Sequence, residues 1–129
     1  MSIIDSLLNL DQNKLKKDKK QFEVTRLSEI IGEKFVIDVM PITNKQVENI
    51  LEIAGEKEKV APYYIVESCR IEGKKFTDKE LLECYKCVKG TDLVNKLMLP
   101  GEVDSIYACI MEMSGYKKGS VETVEEIKN

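Results

Sequence analysis

Helix start and stop signals recur along most of this chain, and they constrain its fold more strongly than any other feature. Thr43 and Gln46 have the spacing of a capping box, apolar residues then recur at helical intervals, and Gly55 supplies a stop. Thr77 and Glu80 repeat the capping spacing further along. The pattern predicts short helices over Thr43 to Gly55, Ala61 to Arg70 with Gly73 closing it, Thr77 to Val88 with Gly90 closing it, Thr91 to Met98, and Glu102 to Ser114.

The apolar faces of these helices predict which side chains are buried. Pro62 fits only in the first turn of its helix. We expect the apolar faces to pack together into one core. The inward residues would be Tyr64, Ile65 and Ser68 or Cys69, then Leu81, Leu82, Tyr85 and Val88, and then Val103, Ile106, Tyr107, Ile110 and Ser114.

Two β-rich runs precede the helical part of the sequence. FEVTRLSEII has Phe22, Val24 and Leu27 on one side, and KFVIDVMPI alternates along its length. Gly32 and Glu33 separate the two runs, so a β-hairpin is the simplest interpretation. The sequence therefore predicts an α+β fold that is mainly α, with an N-terminal β-hairpin packed on a bundle of about four to five short helices.

The N-terminal residues form a separate unit in this interpretation. Residues 2–10 contain one apolar stripe if they are helical, and residues 11–21 contain five lysines and a single apolar residue. We divide the chain into an N-terminal segment with its linker, residues 1–21, a core domain, residues 22–115, and a polar acidic tail, residues 116–129. The stripe either reaches a groove on another molecule or folds back on its own domain, and the sequence favours neither.

Composition excludes several classes of function. The 129-residue chain has no histidine, so Ser-His, Cys-His and His-metal arrangements are excluded, and no glycine-rich phosphate loop occurs. A net charge of -3 gives no extended positive surface for nucleic acid. Asp5 and Asp11 interrupt and bound the N-terminal apolar cluster, so we expect neither a signal peptide nor a membrane span. We expect no catalytic residue and no cofactor.

Cys84 and Cys87 form a CxxC pair. Two thiolates at this spacing can contribute to a zinc site or to a redox pair. Cys69 and Cys109 are isolated in sequence, however, and the pair lies inside a helical pattern rather than after a strand. The sequence therefore favours reduced structural cysteines and no metal site, with a small metal or redox module as the alternative.

Several segments, taken in order, carry a resemblance to a known family. They are KFVIDVMPIT, YYIVESC, FTDKELLECY, TDLVNKLMLPGEV and MEMSGY. In this order and spacing the chain resembles the tail assembly chaperones of contractile-tailed phages and related prophages. The most specific piece is Leu97 to Glu102, in front of the last helix. Tyr116 stands where that family usually has phenylalanine, which keeps the position apolar.

The resemblance implies a non-enzymatic chaperone that binds the tape measure protein and the tail tube protein in the host cell cytoplasm and is absent from the mature virion. It leaves self-association open. A minor tail structural protein of the virion is an alternative. The residues that we expect to contact partners are Ile3, Ile4, Leu7, Leu8, Leu99, Pro100, Gly101 and Glu102.

Overall fold

The fold consists of short helices around a small antiparallel sheet. A computed structural model describes residues 2–16, 18–55 and 59–124 of the chain. The helices in these ranges are α1 (Ile3–Leu8), α2 (Thr25–Ile31), α3 (Asn44–Ala54), α4 (Ala61–Ser68), α5 (Lys79–Cys84), α6 (Gly90–Leu97) and α7 (Pro100–Met113). The strands are β1 (Lys20–Glu23), β2 (Val36–Val39) and β3 (Cys69–Arg70). The predicted fold class, α+β and mainly α, is confirmed.

The sheet has β2 in its centre, paired antiparallel with β1 on one side and β3 on the other. Alternation along β2 places Ile37 and Val39 in the core, where neither side chain is exposed. Asp38 points the other way and accepts a hydrogen bond from Gln21 at 2.8 Å. That bond is the main reason why the pKa of Asp38 lies below its usual value.

The first β-rich run is only partly a strand, which corrects the sequence prediction. β1 ends at Glu23, and residues 25–31 form α2, which connects β1 to β2. Val24 and Leu27, both buried, are three residues apart, which is a helical spacing rather than the even spacing of a strand. Gly32 ends the helix in the left-handed conformation with φ 85°.

The predicted helix α3 is confirmed, and α4 is shorter than predicted. The capping box of Thr43 and Gln46 is formed in the structure. Pro62 lies in the first turn of α4, and Tyr64, Ile65 and Ser68 are buried as expected. The helix ends at Ser68 because the next two residues join the sheet as β3. Gly73 therefore does not close a helix.

The helix predicted from Thr77 to Val88 is also shorter than expected. Asp78 rather than Thr77 caps α5, since its carboxylate accepts from the Leu81 N–H at 3.2 Å. The helix ends at Cys84, and Lys86 takes a left-handed conformation with φ 55° that breaks the helical path. Val88, predicted to be inward, is 87% exposed.

The boundaries of the last two helices also differ slightly from the prediction. Gly90 begins α6 rather than ending the helix before it. Pro100 begins α7, two residues before the predicted start. The predicted seam of α7 is confirmed, because Val103, Ile106 and Ile110 are buried.

α4 lies at the centre of the helical part and packs against α3, α6 and α7. Tyr64 of α4 and Tyr107 of α7 meet edge to face with their ring centroids 5.2 Å apart. The largest fully buried side chains include Phe76, Ile65 and Ile110. The predicted core is therefore present and includes Phe76, a loop residue outside every predicted helix.

The N-terminal residues lie outside this core. A 3₁₀ helix, Gln12–Leu15, follows α1, and β1 begins at Lys20, inside the predicted linker. No residue of α1 is buried. The last residues of the predicted tail, 125–129, lie outside the described residues. The boundaries between the three predicted units at residues 21 and 115 remain predictions.

Candidate partner-binding site

An apolar groove lies between β1 with the start of α2 on one side and α7 on the other. Its volume is about 460 Å³. This volume is within the usual range of ligand-binding clefts. We call it the α7 groove and define it by the residues that line it, which include Phe22, Val24, Leu99, Gly101, Ile106 and Cys109.

A forked ion pair holds the two walls of the α7 groove together. The guanidinium of Arg26 in α2 donates from Nε to Glu102 Oε2 at 3.0 Å and from its terminal Nη2 nitrogen to Glu102 Oε1 at 2.8 Å. The same Nη2 nitrogen donates to the carbonyl of Leu97 at 2.8 Å. Both side chains are partly shielded from water, with 34% of Arg26 and 20% of Glu102 exposed. This two-point geometry fixes α2 against the start of α7.

Glu102 also caps the helix on which it lies. Its carboxylate accepts from the backbone N–H of Leu99 at 2.8 Å, which satisfies a donor at the start of α7. The hydrogen bond from Arg26 is the main reason why the pKa of Glu102 lies below its usual value, and the Leu99 bond acts in the same direction. Leu99, Pro100, Gly101 and Glu102 therefore form a capped helix start.

The eight residues predicted to contact partners fall into two separate places. Leu99, Gly101 and Glu102 line the α7 groove, and 52% of Leu99 is exposed. Pro100 is exposed at the first position of α7 but does not line the groove. The four apolar residues of α1 are exposed and lie outside the groove lining, so the single chain does not join the two sets. These residues are Ile3, Ile4, Leu7 and Leu8.

Sequence reasoning missed the opposite wall of the groove and the arginine that supports it. Phe22 and Val24 were predicted as strand residues, and no role was assigned to Arg26. The capping role of Glu102 could be predicted from sequence, because a glutamate three residues after the N-cap, here Leu99, is a typical helix-start signal. The ion pair between Glu102 and Arg26 could not be predicted, because 76 residues separate the two side chains.

The four cysteines differ in their exposure. Cys84 is exposed, Cys87 and Cys109 are half-buried, and Cys69 is buried. Burial raises the pKa of the Cys69 thiol to about 12, which keeps it protonated and unreactive at neutral pH. Among residues 2–16, 18–55 and 59–124, no group of three or more Cys, Asp or Glu side chains is placed to hold a metal ion.

The fold and the α7 groove define a small helical protein with exposed apolar surfaces suited to contacts with other proteins. None of the described helices has the length and apolar character that a membrane span requires. A family model described as phage XkdN-like tail assembly chaperone protein matches residues 4–128. The chain therefore belongs to the XkdN-like family of phage tail assembly chaperones, which confirms the resemblance seen in the sequence.

One solved structure supports the fold. The crystal structure of the protein YqbN is similar to this protein over 79% of this chain and 90% of the YqbN chain. The TM-score is 0.60 and the sequence identity is 18%. At this identity the likeness shows a shared fold. No curated protein matches the sequence.

Replacing Glu102 by glutamine should lower stability at neutral pH. The carboxamide keeps an oxygen for the Leu99 N–H but loses the charged bond to Arg26. The pKa of Glu102 is lower in the folded state than in the unfolded state. The stability that its charge contributes is therefore fully present above the unfolded-state pKa of about 4.3 and is lost as the pH falls through the folded-state pKa. Urea unfolding should therefore show a gap between parent and variant at pH 7 that closes in acid. Glu112→Gln, an exposed change on the same helix, is the control. A gap that persists in acid would contradict the ion-pair explanation.

Proposed function

We propose that this protein is a non-catalytic chaperone that binds the tape measure protein and the tail tube protein during tail assembly. It acts in the host cell cytoplasm and is left out of the finished virion. Membership of the tail assembly chaperone family supports the general role. The observation that carries the proposal is the apolar α7 groove, which is bordered by the Leu99 to Glu102 helix start. This helix start belongs to Leu97 to Glu102, the most specific part of the family resemblance.

Two exposed apolar surfaces would contact the tail proteins, and both are accessible. The first is the stripe of α1, and the second is the α7 groove beside Leu99. A groove or an amphipathic helix can cover apolar surface on another protein reversibly. Gly101 would contribute backbone contacts in the groove and Pro100 a ring contact beside it, while Glu102 holds the groove in shape.

The α1 contact can be tested with a matched pair of substitutions. Leu7→Glu places a charge on the apolar stripe, whereas Ser6→Glu places the same charge on the same helix outside the stripe. We expect the parent and Ser6→Glu to bind purified tape measure protein equally. Leu7→Glu should weaken binding at least about tenfold, because one buried leucine is lost. Equal binding by all three proteins, measured by titration calorimetry, would contradict the role of α1.

The location of the protein after assembly distinguishes the chaperone from a minor tail structural protein. Mass spectrometry of purified particles should find tape measure and tail tube peptides and none from this chain. A stoichiometric amount of this chain in the particles would favour the structural alternative.

Elemental analysis addresses the metal alternative, because a chaperone of this kind should purify without stoichiometric zinc even with Cys84 and Cys87 intact.

A further inference from the structure

We propose that α1 of one copy of this chain occupies the α7 groove of a second copy, in a reciprocal pair. The inference needs no tail protein and does not rest on the proposed function. In such a pair, each copy covers the apolar helix of the other, and both apolar surfaces are withdrawn from water until a tail protein displaces them.

The first argument is the exposure of α1 in the single chain. The exposed fractions are 82% for Ile3, 60% for Ile4, 63% for Leu7 and 78% for Leu8. A helix of this length is marginal in water and gains stability when its apolar side is covered. At about 1.5 Å per residue the six residues span about 9 Å, so α1 is short enough to lie in one groove.

The second argument is charge complementarity between the groove and the residues that follow α1. Glu23 lines the α7 groove, and Glu29 and Glu33 lie in the adjoining depression with Lys34 as the basic residue there. Lys14 and Lys16 follow α1 and are exposed, whereas Lys19 and Lys20 are held at their own sheet by an ion pair and by strand pairing. An apolar segment followed by two exposed lysines therefore matches an apolar groove with an acidic border.

A second copy, rather than the same copy, is the occupant that the structure favours. In the single chain both the α1 stripe and Leu99 at the groove stay exposed. With Gln12–Leu15 kept as a 3₁₀ helix, the residues between Leu8 and Lys20 can still span about 31 Å, which is enough to reach a neighbouring molecule. A reciprocal exchange covers two stripes and two grooves at once under two-fold symmetry, which is a common route to homodimers.

Sedimentation equilibrium of the full chain, without any tail protein, is the first test. The parent should form dimers whose dissociation constant rises at least about tenfold in Leu7→Glu, since the occupant loses a buried leucine. Ser105→Lys, which places a charge in the groove, should have the same effect. Ser6→Glu and Asp104→Lys, exposed positions away from the stripe and the groove on the same two helices, are the controls and should change the constant less than about twofold. A monomeric parent, or equal constants for variants and controls, would overturn the proposal.

The second test uses the natural thiol of Cys109, which lines the groove. In a chain with Cys84→Ser and Cys87→Ser, Leu7→Cys should form a disulfide-linked dimer under mild oxidation, and peptide mapping should join position 7 to Cys109. Ser6→Cys in the same background should form far less of that product. A link between position 7 and Cys109 within one chain, no link at all, or equal yields from both variants would each overturn the proposal. Circular dichroism confirms that every variant is folded.

Discussion

The Phe76→Ala variant is expected to lose about 3–5 kcal/mol of the free energy of unfolding. Phe76 lies in the loop between β3 and α5, yet its side chain is completely buried. A turn closed by the Asp78 N–H donating to the Lys75 carbonyl at 3.0 Å directs it into the core. Truncation would leave a cavity that the surrounding helices fill only in part, and the loss is a large share of the stability of a small domain.

Equilibrium unfolding in urea measures this loss. Phe22→Ala is the matched control, because Phe22 is half-buried at the edge of the α7 groove and its removal creates no closed cavity. We expect the control to cost clearly less than Phe76→Ala. Similar costs for the two variants would show that Phe76 is not the anchor of this loop.

The Gly90→Val variant is expected to lose about 1–3 kcal/mol through overpacking. Gly90 is buried at the start of α6, and a Cβ atom there would lie 3.1 Å from both methyl carbons of Val66 and from Cγ2 of Thr77. The branched valine side chain adds further atoms beyond that Cβ. α6 would have to move away from α4, which is the central helix of the domain.

Thermal unfolding of Gly90→Val and two partner variants tests the explanation. Gly101→Val is the control, because no atom lies within 4 Å of a Cβ at that position. Combining Gly90→Val with Val66→Ala removes the closest methyl groups and should recover part of the lost stability. An unchanged loss in the double variant would mean that Val66 is not the residue that excludes a side chain at position 90.

Local signals explain what the sequence predicted correctly. The capping box at Thr43 and the seam of α7 depend on residues within a few positions of each other, and both are present in the structure. The end of α4 depends instead on distant pairing, because Cys69 and Arg70 become a strand only against Val39 and Asp38. Nothing near Cys69 in the sequence signals that partner.

The candidate site divides in the same way. Leu99 to Glu102 was accessible because proline, glycine and glutamate at a helix start form a local pattern. The wall formed by Phe22 and Val24 could not be predicted from sequence, because packing between distant parts of the chain places this wall beside α7. The early end of α5 was missed for another reason, since the left-handed backbone of Lys86 has no residue-type signal of its own.

The link between Arg26 and Glu102 has a consequence for the timing of synthesis. The ribosome makes the Phe22 wall of the groove first and the α7 wall last, and 76 residues separate the two ends of the ion pair. At about 5–20 residues per second, the second wall is made about 4–15 s after the first. A nascent chain that has not yet reached α7 therefore has no groove, and only copies whose translation has passed α7 can take up a ligand there.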